Sequence, residues 1–140
     1  MRVREILFRG KEIERGYGEW VYGYPYETYR NCHLRKLIAI PPNEFGRGEY
    51  IEIDPETVGQ YTGLTDKNGK KIFEGDIVKI YLYEPKGFAN YEIGCIKFDD
   101  TKARFVFCTK EGSYSIDNTD TYEVIGNIHD NPELLRGGEW

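Results

Sequence analysis

A chain of 140 residues, 39% apolar and 15% aromatic with twelve tyrosines, suits one domain, or one small domain with an embellishing arm, and is long enough to bury a core without staples. Its net charge of −5 and pI near 5.2 argue against a nucleic-acid binder driven mainly by phosphate contacts. Three widely spaced cysteines, Cys32, Cys95 and Cys108, lack the ligand count of a structural zinc site and predict free buried thiols in a reducing compartment. The charged N-terminus carries too short an apolar run for a secretion signal, and no run approaches the roughly 18 apolar residues of a membrane span. The expected location is the cytoplasm, with no membrane contact.

The first elements read as a hairpin, residues 3–13 and 19–26, turned at RGYG where Gly16 and Gly18 are free to take positive φ. In the returning strand Trp20, Tyr22, Tyr24 and Tyr26 recur at every second position, which places four rings on one face, opposite Val21, Gly23 and Pro25. Pro25 donates no hydrogen bond, so the strand should end there or lie at a sheet edge. Residues 27–48 are the least regular part. Leu34, Leu37, Ile38 and Ile40 form an apolar segment that periodicity does not assign, and Pro41-Pro42 with the GRG of 46–48 predicts a mobile exposed loop.

Tyr50–Ile53 alternates as a strand and Pro55 stops it. Asp54 is placed to cap a single helical turn over the following residues. Asn68-Gly69 is a hairpin signal of type I′, and Gly75-Asp76 opens the run IVKIYLY, with Val78, Ile80 and Leu82 on one face and Ile77, Lys79, Tyr81 and Tyr83 on the other. Four further strands follow at regular spacing, 91–98, 103–108, 113–116 and 122–128, with Gly94 and Gly126 as bend points. This meander suggests a small SH3-like barrel. Asn131 before Pro132 predicts a capped short turn or helix whose Leu134 and Leu135 dock, ahead of a GGEW tail read as disordered or as an accessory contact. The fold class is therefore mainly β: an N-terminal hairpin region and irregular arm, 1–53, then an SH3-like barrel with a short terminal helix, 54–140, forming one cooperative unit.

No catalytic constellation emerges. Asp66-x-Asn68-Gly69 resembles the start of a cation loop but lacks the EF-hand spacing, and a hairpin turn accounts for the same residues. Glu74-Gly75-Asp76 resembles a carboxylate pair, but a tight turn feeding a barrel strand is the better account; Asp99-Asp100 is likewise a turn signal. His33 and His129 sit in no metal or catalytic motif, and Ser113 and Ser115 lack a nucleophile elbow. The sequence thus predicts no enzyme, no metal and no cofactor. The basic clusters Arg30, Arg35, Lys36 and Lys67, Lys70, Lys71 read as solvated turns and strand edges.

The arrangement with functional content is the ladder Trp20, Tyr22, Tyr24, Tyr26. A row of exposed rings stacks on bases or nucleotides, and Arg30 is near enough in sequence to meet a phosphate. The same rings could instead fill an inner face or a subunit contact, and the sequence leaves both open.

Three segments, FRGKEIERGYGEWVYGY, DPETVGQYTGLTDKNGKKIFEGDIVKI and YEVIGNIHDNPELL, resemble the YopX family of phage and prophage proteins. The resemblance implies a small β protein encoded by a bacteriophage or prophage, an SH3-like barrel in its C-terminal part and a plausible oligomer. It transfers no catalytic residue; Gly59, Gln60, Tyr61, Gly63, Gly75 and Asp76 read as holding the fold. The expected function is that of a non-enzymatic accessory protein binding a host or phage protein, a nucleotide or single-stranded nucleic acid. The alternatives are an oligomer that sequesters a nucleotide immune signal of the host, and, less favoured, a small hydrolase using Asp76, Glu74 or a histidine.

Overall fold

The computed structural model describes residues 4–16, 18–83 and 89–135. Its strands are β1 (Phe8–Lys11), β2 (Trp20–Arg30), β3 (His33–Ile40), β4 (Glu49–Glu52), β5 (Gly59–Thr65), β6 (Lys71–Phe73), β7 (Asp76–Tyr83), β8 (Ala89–Asp99), β9 (Arg104–Thr109), β10 (Gly112–Ser115) and β11 (Thr121–Asn127). Among the described residues the only helical pieces are one-turn 3-10 helices at Pro55–Thr57 and Pro132–Leu134. The fold is mainly β, with two antiparallel sheets ordered β4-β3-β2-β1-β5-β6 and β10-β9-β8-β7-β11. The chain divides into two compact units, Met1–Tyr61 and Thr62–Trp140, and the division falls inside β5. The GGEW tail, Tyr17 and the side chains of Leu82 and Tyr83 lie outside the described residues.

In the first unit the register puts Val21, Ile38 and Ile51 on one face, through the pairs Pro25↔Ile38 and Ile38↔Ile51. These residues and Ile53 are buried, with Phe8, Ile40 and Val58 packed against them. Each such side chain withdrawn from water contributes about 1.5–3 kcal/mol before conformational entropy is set against it.

The segment 27–48 is more regular than its sequence suggests. β2 continues through Pro25 to Arg30 and pairs along its length with β3, from Tyr24↔Ala39 to Arg30↔His33. Pro25 is tolerated because β1 reaches only to Gly23, so beyond that pair β2 is an edge on its β1 side. Asn31 (φ 52°) and Cys32 (φ 65°) form the two-residue connection, both left-handed, as a type I′ turn requires. The alternation that would reveal these strands is absent because most of residues 25–36 are exposed whichever face they occupy. Only the loop of 41–48 is exposed and irregular, and there the Asn43 carboxamide oxygen accepts from the amides of Phe45 (2.9 Å) and Arg47 (3.1 Å).

In the second unit Ile72, Val78, Ile80, Ile96, Phe107 and Tyr122 form the core, and Leu64, Phe105, Ile116 and Val124 pack around it. β7 to β10 follow one another as a meander, and β11 returns to pair with β7. Gly94 lets β8 bend over β9: a methyl there would collide with the Cys108 carbonyl and lie 2.8 Å from the Phe107 ring. Gly126 follows a register shift in β11 and leaves space for Asn131, whose side-chain oxygen accepts from the Asn127 amide at 3.3 Å. Asn131 is thereby committed to β11 and makes no side-chain cap on the turn that begins at Pro132. Leu134 and Leu135 are half-buried.

Two substitutions test these backbone assignments in opposite directions. Cys32→Gly removes the strain of a side chain in a left-handed turn, and urea denaturation should show a gain of about 0.5–1 kcal/mol. Gly94→Ala introduces the collision with β9 and should cost about 1–3 kcal/mol in the same experiment.

Candidate functional site

The ladder is where its spacing places it, on the face of the first sheet opposite the core. Cross-strand partners share a face, so the pairs Lys11↔Trp20, Arg9↔Tyr22, Tyr24↔Ala39 and Tyr26↔Leu37 extend it across three strands. β4 adds Tyr50 opposite Ala39 and Glu52 opposite Leu37. Tyr22, Tyr24 and Tyr26 are 46%, 45% and 48% exposed and Tyr50 is 62% exposed, so water reaches these rings, while Arg9 on the same face is buried. Tyr26 and Tyr50 contact each other at 5.2 Å between ring centres with a tilt of 55°, and Leu37 is buried on the same face.

Trp20 differs from the three tyrosines. The guanidinium of Arg9 lies over its ring at 4.4 Å and the ammonium of Lys11 approaches at 5.9 Å. These cation–π contacts engage the indole and leave it half-buried. The open part of the ladder is therefore Tyr22, Tyr24 and Tyr26, with Tyr50 beside them.

Arg30 is exposed and shares the ladder's face at the far end of β2, in register with His33. Thr28 separates it from Tyr26, about 13 Å along an extended strand. Arg35, opposite Thr28, is nearer, and its Nε lies 2.9 Å from Glu52 Oε2 while a second nitrogen lies 3.9 Å from Glu14 Oε1. Sequence reasoning missed Arg9, Lys11, Arg35 and Tyr50 because cross-strand register alone brings them to the rings.

The acidic candidates serve the backbone. Asp66 Oδ1 accepts from the amides of Asn68 and Lys70, each at 2.9 Å, and Oδ2 accepts from the amide of Val124 at 3.0 Å. In that turn Gly69 (φ 80°) is left-handed and Asn68 is not, so the connection is a type I turn with a glycine bulge and not the expected type I′. Asp76 is buried, where a turn carboxylate would be solvated, and its Oδ2 accepts from the Phe73 amide at 2.7 Å. Its β11 partner in register is Asn127, whose side-chain oxygen accepts from the amides of His129 and Asp130 at 3.0 and 2.9 Å. Asp99 likewise accepts from the amide and hydroxyl of Thr101.

Lys67 is engaged too, with Nζ 2.7 Å from Glu123 Oε2, an oxygen that also accepts from the Tyr81 hydroxyl at 2.9 Å. Of the three thiols, Cys95 is buried and its burial pushes its pKa up, whereas Cys32 is exposed in the hairpin turn, contrary to the expectation of buried thiols throughout. Among the described residues no group of three or more His, Cys, Asp or Glu is placed to hold a metal, and no helix is long and apolar enough to cross a membrane.

The YopX protein family model matches residues 8–136. The chain belongs to the YopX family. No curated protein matches it. A solved structure, that of protein EF1440 from Enterococcus faecalis, is 28% identical and aligns over 96% of this chain and all of that one, with a TM-score of 0.49. In this YopX chain the family match takes in the aromatic face, the Asp66 turn and the Asn127–Asn131 cluster alike.

Asp66 supplies a stability test. Burial pushes its carboxyl up, but the amides of Val124, Lys70 and Asn68 and the charge of Lys70 together hold it below its ordinary value. A depressed carboxyl contributes stability above its unfolded value and loses it as pH falls through the folded one. Asp66→Ala should cost about 2–3 kcal/mol at pH 7, and the gap to the parent protein should narrow as pH is lowered below the ordinary aspartate range, followed by urea midpoints across pH.

Proposed function

We propose that this YopX family member is a non-enzymatic accessory protein of phage or prophage origin, acting in the host cytoplasm, whose first unit binds planar ligands by stacking. The observation that carries this reading is the half-exposed row Tyr22, Tyr24, Tyr26 with Tyr50 on the sheet face that the core does not use. Tyrosines 24 and 26 are separated by about 6.6–6.8 Å along a strand, a spacing that lets successive bases or the two bases of a dinucleotide occupy neighbouring rings. The first unit is nearly neutral, with nine Lys and Arg against ten Asp and Glu, so phosphates meet no strong opposing field there.

Arg35 is the cation best placed for a phosphate, and Arg30 extends the reach toward the hairpin tip. The ligand class is single-stranded nucleic acid or a nucleotide, and a homo-oligomer would bring two such faces to bear on one ligand. The strand order of the second unit, a meander whose last strand returns to its first, supports reading that unit as an SH3-like barrel that braces the chain.

Titration of tyrosine fluorescence with a thymidine homopolymer and with a cyclic dinucleotide tests the proposal. Binding should weaken about tenfold or more for Tyr24→Ala and again for Tyr26→Ala, as each stack contributes about 1–3 kcal/mol. Its dependence on salt should be shallow, because few phosphates are contacted. A natively folded protein that binds neither probe refutes the proposal. So does light scattering that shows an oligomer dissociated by Tyr24→Ala with no ligand effect, which would make this face a subunit contact.

A further inference from the structure

A cavity of about 310 Å³ opens on the core side of the second unit's sheet, lined by Ile80, Glu92, Phe107, Tyr114, Ser115 and Asp120. The pairs Ile80↔Glu92 and Phe107↔Tyr114 bring these residues to one face. We propose that this cavity receives the basic side chain, arginine or lysine, of a polypeptide segment that lies along β10.

The lining sorts by chemistry along the path such a side chain would take. Ile80 and Phe107 are buried core residues and give an apolar floor for the methylene stem. Tyr114, 48% exposed, stands at the rim and offers a ring face to a cation. Two carboxylates complete the site. Asp120 Oδ2 lies 3.3 Å from the hydroxyl of buried Tyr122, whose single proton it shares with the Asp117 carbonyl at 3.1 Å. Glu92 is exposed and has no ion-pair partner among the described residues. Neither carboxylate is needed for the fold in the way Asp66 and Asp76 are.

The size fits a side chain better than a nucleotide, since ligand cavities run from about 300 to 1,000 Å³ and this one lies at the small end. The charge of the unit agrees: ten Lys and Arg face fourteen Asp and Glu across Thr62–Trp140. The edge strand decides for a polypeptide over a small free cation. Among the described residues β10 has a strand neighbour on one side only, all four of its residues are exposed, and two of them, Tyr114 and Ser115, line the cavity. An extended peptide added to such an edge gains main-chain hydrogen bonds while one of its side chains enters the adjacent pocket.

Amide chemical shifts of the full-length protein, titrated with a blocked serine–valine peptide containing one central arginine, test this directly. The amides of Glu92, Tyr114, Ser115 and Asp120 should move together, and Glu92→Gln and Asp120→Asn should each weaken binding about tenfold, the effect of losing one charge-assisted contact. The same peptide with citrulline for arginine keeps the shape and removes the charge, and it should not bind. Equal binding of the citrulline peptide would overturn the proposal, as would an absence of shifts at these four amides. Agmatine binding as tightly as the arginine peptide would overturn the role of β10 and the polypeptide.

Discussion

The placement of the aromatic face rests on the two-residue turn at Asn31 and Cys32. In an antiparallel pair a slip of one residue moves every side chain to the opposite face, so whatever fixes register fixes what the sheet presents to water. A two-residue loop with both residues left-handed matches the twist of the strands it joins and allows one register, here Arg30↔His33 through Tyr24↔Ala39. That register sends Ile38 to the core beside Val21 and sends Leu37 to the tyrosine side. A sheet with apolar residues on both faces of β3 thus has one face closed by its own core and the other left with rings.

The second unit uses polar groups to a different end. Asp66, Asp76, Asn127 and Asn131 each accept from backbone amides that turns and bulges leave without a ladder partner. A buried carboxylate that accepts two or three amides is held as an anion by the backbone, which suits it to organise a turn and ill suits it to move protons. Tyr122 follows the same logic, with its ring in the core, its hydroxyl exchanging hydrogen bonds with the Asp117 backbone, and its ionisation pushed up by burial to about 12. The acidic letters that suggest chemistry in this sequence are largely spent on backbone geometry.

Much of this was legible in the residues, and what was not has identifiable causes. The meander after Gly75 reads cleanly because turn residues punctuate it, although Ile77 and Val78, Cys95 and Ile96, and Val106 and Phe107 are buried on both faces of their strands. The ladder reads cleanly because period-two aromatics admit few alternatives. β3 does not, since Leu34, Leu37, Ile38 and Ile40 follow neither period when both faces carry apolar groups. The turn at Asn31-Cys32 gives a weak signal because cysteine seldom takes a left-handed conformation, whereas Asn68-Gly69 gives a strong signal for a turn whose asparagine stays right-handed. Pro25 misleads for a related reason: a missing donor forbids a central strand only where both neighbours are present.

Trp20 shows how register, more than spacing, grades the aromatic row. Its position two residues before Tyr22 makes it a member of the ladder, yet the pair Lys11↔Trp20 and the neighbouring Arg9 lay two cations against its ring. A cation over an indole satisfies the ring's negative face and anchors β1 to β2, so that end of the row works as structure. From Tyr24 onward β2 has no β1 partner in register, and Tyr26 has Leu37 opposite it and the Tyr50 ring at 5.2 Å. The two cations carried by β1 thus set Trp20 apart from Tyr22, Tyr24 and Tyr26, which stay about half exposed.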